Sequence, residues 1–129
     1  AGAAASAESE EEGVTPREPL PDARRLLVSC SSDGTVRAWD CEQRSCVRVL
    51  RGHNSPVLCV DVTPTGDLAA SGDQKGEVKV WDLESGECSL AFTRHKGRVA
   101  CVALSSDGLF CLSGGDDCKL HLWSLETGA

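Results

Sequence analysis

Apolar residues come in short runs along this chain, among them VLCVDV at 57–62 and RVACVAL at 98–104, separated by clusters of Gly, Pro, Asp and Ser. Runs this short and this often punctuated favour strands over helices. The middle of the chain parses most clearly. It predicts strands at 57–62, 67–71, 77–82 and 88–92, with turns at Thr63-Pro64-Thr65-Gly66, at 72–76 and at Glu84-Ser85-Gly86. Strands are also predicted at 26–31, 35–40 and 46–50 before it, and at 98–104, 109–113 and 119–123 after it.

The pattern returns at a fixed step. Trp39, Trp81 and Trp123 are 42 residues apart, and Ser29, Ser71 and Ser113 keep that step ten residues earlier. His53 and His95 share it, as do Gly66 with Gly108 and Gly86 with Gly128. Several classes of position repeat without an insertion, and periods of about 40–45 residues mark four-stranded repeat units. The first unit's inner strand would fall in a Pro-rich acidic stretch that cannot supply it. The last unit's fourth strand would lie past Ala129. Together with the lack of Met, these incomplete end units are what a segment of a longer protein would show.

The repeated residues resemble the WD-repeat family. Trp39-Asp40 and Trp81-Asp82 match its naming dipeptide, where the third unit has Trp123-Ser124. Gly52-His53 matches its Gly-His element, where the next copy reads Arg94-His95. The resemblance covers 24–129. It implies an all-β fold, a partial β-propeller of about two and a half four-stranded antiparallel blades, and a role in organising other proteins. It also implies a tetrad of His, Ser, Asp and Trp in each blade. The third unit matches fully with His95, Ser113, Asp117 and Trp123. The first has Ser29, Asp33 and Trp39, with Glu11 where its His would fall. The second has His53, Ser71 and Trp81, but Lys75 stands where the Asp is expected and Asp73 is two residues out of register. On that register the middle tetrad is looser, and Lys75→Asp would restore it. The physics of the tetrad is independent of the family: a buried indole N–H needs an acceptor, a Ser hydroxyl can supply it, and a His can bridge that hydroxyl to a carboxylate.

Charge divides the chain. Residues 1–23 carry six acids against one arginine, and the remainder fourteen acids against twelve bases. The first stretch, with Pro16, Pro19 and Pro21, reads as a disordered acidic tail or linker. Ser9 ahead of Glu10-Glu11-Glu12 and the Thr15-Pro16 pair are kinase-like contexts within it. No basic patch suits nucleic acid, and no apolar run is long enough for a membrane helix. The eight cysteines include no Cys-x-x-Cys pair, and Cys46/Cys88 and Cys59/Cys101 recur at the repeat step. They read as reduced structural thiols, which points to cytoplasm or nucleus.

His95, Ser113 and Asp117 also spell a Ser/His/Asp triad, but Ser113 falls mid-strand and no Gly-x-Ser-x-Gly elbow surrounds it. The structural reading outweighs a hydrolase. His121 alternates with Leu120 and Leu122, which suits a strand-surface residue better than a metal ligand. Asp116 and Asp117 suit a hairpin turn. No phosphate loop is present either, and with no Cys-x-x-Cys pair and no nucleophile elbow, neither metal, cofactor nor enzymatic activity is expected. The sequence therefore points to a protein–protein interaction scaffold that binds proteins or peptides through its blade-rim loops. The alternative is a regulatory or sensing array of a larger enzyme, such as ATPase or ubiquitin-ligase machinery. Alternating strand direction gathers Ser32, Asn54, Gln74, Lys75, Lys96, Arg98 and Asp116 at one rim, the candidate partner surface. Further blades are expected as partners for the outer faces. The isolated chain, left without them, is expected either to be marginally stable or to self-associate through those faces and unpaired edges.

Overall fold

A 42-residue repeat of short strands can bury its apolar faces only by stacking sheet on sheet, and the fold does this. The computed structural model describes residues 26–127. The expectations for 1–23, for Glu11 and for the first unit's inner strand lie outside them. Ten strands run in order: β1 (Leu26–Cys30), β2 (Val36–Asp40), β3 (Ser45–Leu50), β4 (Val57–Val62), β5 (Leu68–Asp73), β6 (Val78–Asp82), β7 (Glu87–Phe92), β8 (Val99–Leu104), β9 (Phe110–Gly115) and β10 (Leu120–Ser124). They form three antiparallel sheets: β1-β2-β3, β4-β5-β6-β7 and β8-β9-β10. The described residues contain no helix. The architecture is that of a partial propeller, with a complete middle blade between two three-stranded ones.

The register repeats with the sequence. A β-bulge interrupts pairing just before Trp39 and again just before Trp81, and another recurs at Val57/Cys59 and Val99/Cys101. A bulge bends and twists its strand and re-aims the residues beside it. Strands β5 and β9 each run two residues past the predicted end at Ser71 and Ser113. Gly72 and Gly114 belong to the ladder and not to a turn. The reason is packing: a Cβ at Gly72 would come within 2.4 Å of Val99 Cγ1 in the neighbouring blade.

Two cores lie between blades. Leu26, Val28, Val36, Ala38 and Leu50 of the first blade meet Val57, Ala69, Trp81 and Leu83 of the second. One period later, Ala70, Val78, Val80 and Phe92 meet Val99, Cys111 and Trp123. Each blade thus offers a trailing face to the leading face of the next. Phe92 stacks on Trp123 at 4.0 Å. A buried arginine ties the first junction: Arg48 donates to the carbonyls of Leu83 (2.9 Å) and Glu84 (2.9 Å) across the gap. Its counterpart one period on is Leu90, packed against the second core. The third blade's trailing face has no cover among the described residues. Leu120 and Leu122 are 71% and 66% exposed, whereas their counterparts Val78 and Val80 are 0% and 1%.

Candidate functional site

Three buried serines organise one end of the stack. Each sits on the blade's second strand and accepts the indole N–H of the tryptophan on the third: Trp39 to Ser29 at 2.9 Å, Trp81 to Ser71 at 2.8 Å, Trp123 to Ser113 at 3.0 Å. In the two later blades the serine also meets a histidine from the preceding loop, His53 Nε2 at 2.6 Å and His95 Nε2 at 2.8 Å. The other ring nitrogen faces a carboxylate. His95 Nδ1 lies 3.1 Å from Asp117. His53 Nδ1 lies 2.8 Å from Asp73. An indole N–H can only donate, so the serine oxygen accepts it, turns its own hydrogen to the imidazole, and leaves the Nδ1 proton for the carboxylate.

The middle blade corrects the sequence reading. Lys75 leaves no gap, because Asp73 fills the carboxylate role and the network is complete. Asp73 also accepts the Lys75 and Glu77 amides, each at 2.9 Å, and so shapes its own turn. Asp73 lies two residues after its serine, and Asp117 lies four after. The two solutions exclude one another. The third blade carries Gly115 at the position of Asp73, and a Cβ there would stand 2.7 Å from His95 Nδ1 and 3.2 Å from Asp117 Oδ1. In the first blade Asp33 instead accepts the backbone N–H and hydroxyl of Thr35, at 2.9 and 2.6 Å.

Both carboxylates are held as anions. At Asp73 burial opposes ionisation, but hydrogen bonds from the Glu77 and Lys75 amides and from His53 outweigh it, and its pKa falls below the ordinary value. At Asp117 the Lys96 amide leads, against desolvation and with help from His95 and the Lys119 amide, and the pKa drops to about 2. The geometry of Asp117, His95 and Ser113 matches a hydrolytic triad on paper. Yet Ser113 is fully buried and its oxygen is taken by Trp123, so no substrate carbonyl can reach it.

The tetrads fix the loops around them. Turn 31–35 abuts the His53 loop, with the Val57 amide on the Ser31 carbonyl at 3.0 Å. Turn 73–77 abuts the His95 loop. There Gly76 has φ +94°, and a Cβ would sit 2.4 Å from the His95 carbonyl oxygen, so only glycine fits. The structure places Ser32, Asn54, Gln74, Lys75, Lys96, Arg98 and Asp116 on these stitched loops at one rim, all exposed. Arg98 pairs with Asp116 at 2.9 Å. Arg94, standing where the middle blade has Gly52, holds its guanidinium 5.4 Å over Trp123. His121 differs from its expected place on the strand surface. It is half-buried, edge-on to His95, with Nε2 sealed from solvent. On the opposite rim, Thr63, Thr65, Asp67, Ser106 and Asp107 line an open groove of about 320 Å³. Gly115 and Arg48 escaped the sequence reading, and Asp73 was noticed there but set outside the tetrad. The spacing of Asp73 from Ser71 was the one available signal.

A β-stack with a His–Ser–Trp–carboxylate network under each complete loop pair defines a class of β-propeller repeat. The pattern of the WD domain, G-beta repeat family matches residues 19–40, 44–82 and 86–124, and the chain belongs to that family. It is 51% identical over 37 residues to Cell division control protein 4 of Saccharomyces cerevisiae, covering 29% of this chain and 5% of that protein. It is 41% identical over 56 residues to human Angio-associated migratory cell protein, 41% of this chain and 13% of that one. It is 41% identical over 54 residues to Pre-mRNA-processing factor 19 of Bos taurus, 40% and 11%. The chain thus spans a small part of the length of each relative.

Proposed function

We propose that this chain is a segment of a protein-interaction scaffold that captures partner proteins or peptides on the His-side rim. The observation that carries the reading is the rim itself: seven exposed polar side chains on loops that buried tetrads and inter-blade hydrogen bonds hold in place. Binding residues are commonly carried on loops that a rigid scaffold positions. The mixed charge of Lys75, Lys96, Arg98 and Asp116 suits an acidic or mixed peptide better than nucleic acid. Buried serines already committed to tryptophans support a non-enzymatic role. The relatives' names describe unrelated processes, cell division and pre-mRNA processing, which supports a general-purpose module over a dedicated one. The bare trailing face of the third blade seats a further blade, because its counterparts are covered that way at both existing junctions. The eight cysteines are free thiols, which supports a cytoplasmic or nuclear setting.

The test is selection of a displayed random-peptide library on the full chain. Enriched peptides should lose binding to the K96A/R98A/D116A variant and keep it with T65A/E84A, a control on the opposite rim. The exposed Arg98–Asp116 pair contributes about 0–1 kcal/mol, so the triple variant should melt close to the parent. Peptides that ignore the triple change and are lost with T65A/E84A would move the site to the other rim.

A further inference from the structure

Two residues before each tryptophan the chain places Arg37, Lys79 and His121. In the middle blade the Lys79 ammonium lies 3.5 Å from Glu77, whose other oxygen is 3.9 Å from His53 Nδ1. A fixed cation there faces the second carboxylate beside the histidine, Glu77. The third blade has no such cation at that position. His121 stands in its place, its ring centroid 4.6 Å from that of His95 and 5.4 Å from that of Trp123. Its Nε2 is buried and makes no hydrogen bond, a state that buried polar atoms rarely keep. One donor atom from each of His95, Asp117 and His121 lies within 4.8 Å of the other two.

We propose that His95, Asp117 and His121 form a site for a divalent transition-metal ion, best suited to zinc, in the third blade. Two imidazoles and a carboxylate with a fourth position open to water is an ordinary zinc donor set. Bonds of 2.0–2.1 Å put tetrahedral donors about 3.3 Å apart. His95 Nδ1 and Asp117 Oδ1 are already 3.1 Å apart, and a His121 nitrogen within 4.8 Å of both would have to move by at most about 1.5 Å to reach that spacing. The metal takes the place of the Nδ1 proton, and the His95 ring passes to its Nε2–H tautomer with no net change in protons. Ser113 Oγ has two acceptor positions and receives both that N–H and the one from Trp123. The three ligands come from the loop before β8, the turn after β9 and strand β10, so the ion would lock together two rim loops of the third blade.

Cobalt(II) titration of the full chain, followed by visible absorption, tests the site. The expected result is one equivalent bound with a tetrahedral d–d band and no thiolate charge-transfer band, plus a rise in melting temperature with zinc that chelator reverses. At a hundredfold excess over the dissociation constant that rise is about 10 °C. H121K installs the middle blade's residue, so it should melt near the metal-free parent while losing both the cobalt band and the zinc response. C118S removes the nearby exposed thiol and should keep both. No zinc response in the parent, a band that survives H121K, or a band lost with C118S would overturn the site.

Discussion

Asp73 accepts three hydrogen bonds from a site that is 2% exposed, and its removal shows what a tetrad is worth. In Asp73→Ala the His53 Nδ1–H loses its partner, and the His53 side chain is fully buried. An unsatisfied buried donor costs about 1–3 kcal/mol. The Lys75 and Glu77 amides lose their acceptor as well, but Lys75 is exposed, so water can replace part of that loss. The expected destabilisation is about 2–4 kcal/mol, a large fraction of the 5–15 kcal/mol typical of a folded domain. Lys75→Asp alone should give little, because the carboxylate role is already filled. The double variant D73G/K75D copies the third blade's Gly-x-Asp arrangement into the second and should recover most of the loss. Urea unfolding followed by tryptophan fluorescence reads all three, since Trp81 sits in the first inter-blade core. A loss below about 0.5 kcal/mol in Asp73→Ala, or a double variant no better than the single one, would refute the reasoning.

Asp117 has a folded pKa of about 2 against an ordinary 3.8, so it supplies stability that is present above about pH 4 and is lost as pH falls through 2; D117N should flatten that part of an acid-unfolding profile. Burial pushes the thiols of Cys59 and Cys111 up to about 12 and 11, so brief native alkylation at pH 8, mapped by mass spectrometry, should spare both and label the exposed Cys41 and Cys118. Leu120→Glu with Leu122→Glu should lower the sedimentation-measured mass of the isolated chain if the bare face drives self-association, and an unchanged distribution would move that contact elsewhere.

Blade positions were legible because tryptophan, serine and histidine each keep the 42-residue step and strands of five or six residues fit between them. Strand ends were not. Gly72 reads as a turn residue and Gly114 lies past the predicted strand end, but each is small because a neighbouring side chain presses on the backbone there, Val99 on one and Cys101 on the other. The strand therefore continues, and Asp73 arrives beside His53 when spacing alone had pointed to position 75. His121 was placed on the surface by its alternation with two leucines. Alternation tells which face a side chain takes, and here that face is closed by His95 and Trp123. Placing the rim's loop residues at one end of the blades needed only the alternation of strand direction. The role of Arg48 was not legible, since nothing local says that its guanidinium crosses to the next blade's carbonyls.

If buried tetrads hold one rim ready for a partner, binding should perturb that rim and spare the other. Amide chemical shifts of the labelled full chain, titrated with a peptide from the selection, test it most directly. Changes should concentrate at Ser32, Asn54, Gln74, Lys75, Lys96, Arg98 and Asp116, with Thr65, Ser85 and Asp107 on the far rim unmoved. Changes confined to those far-rim residues, or to the Leu112, Leu120 and Leu122 face, would contradict it.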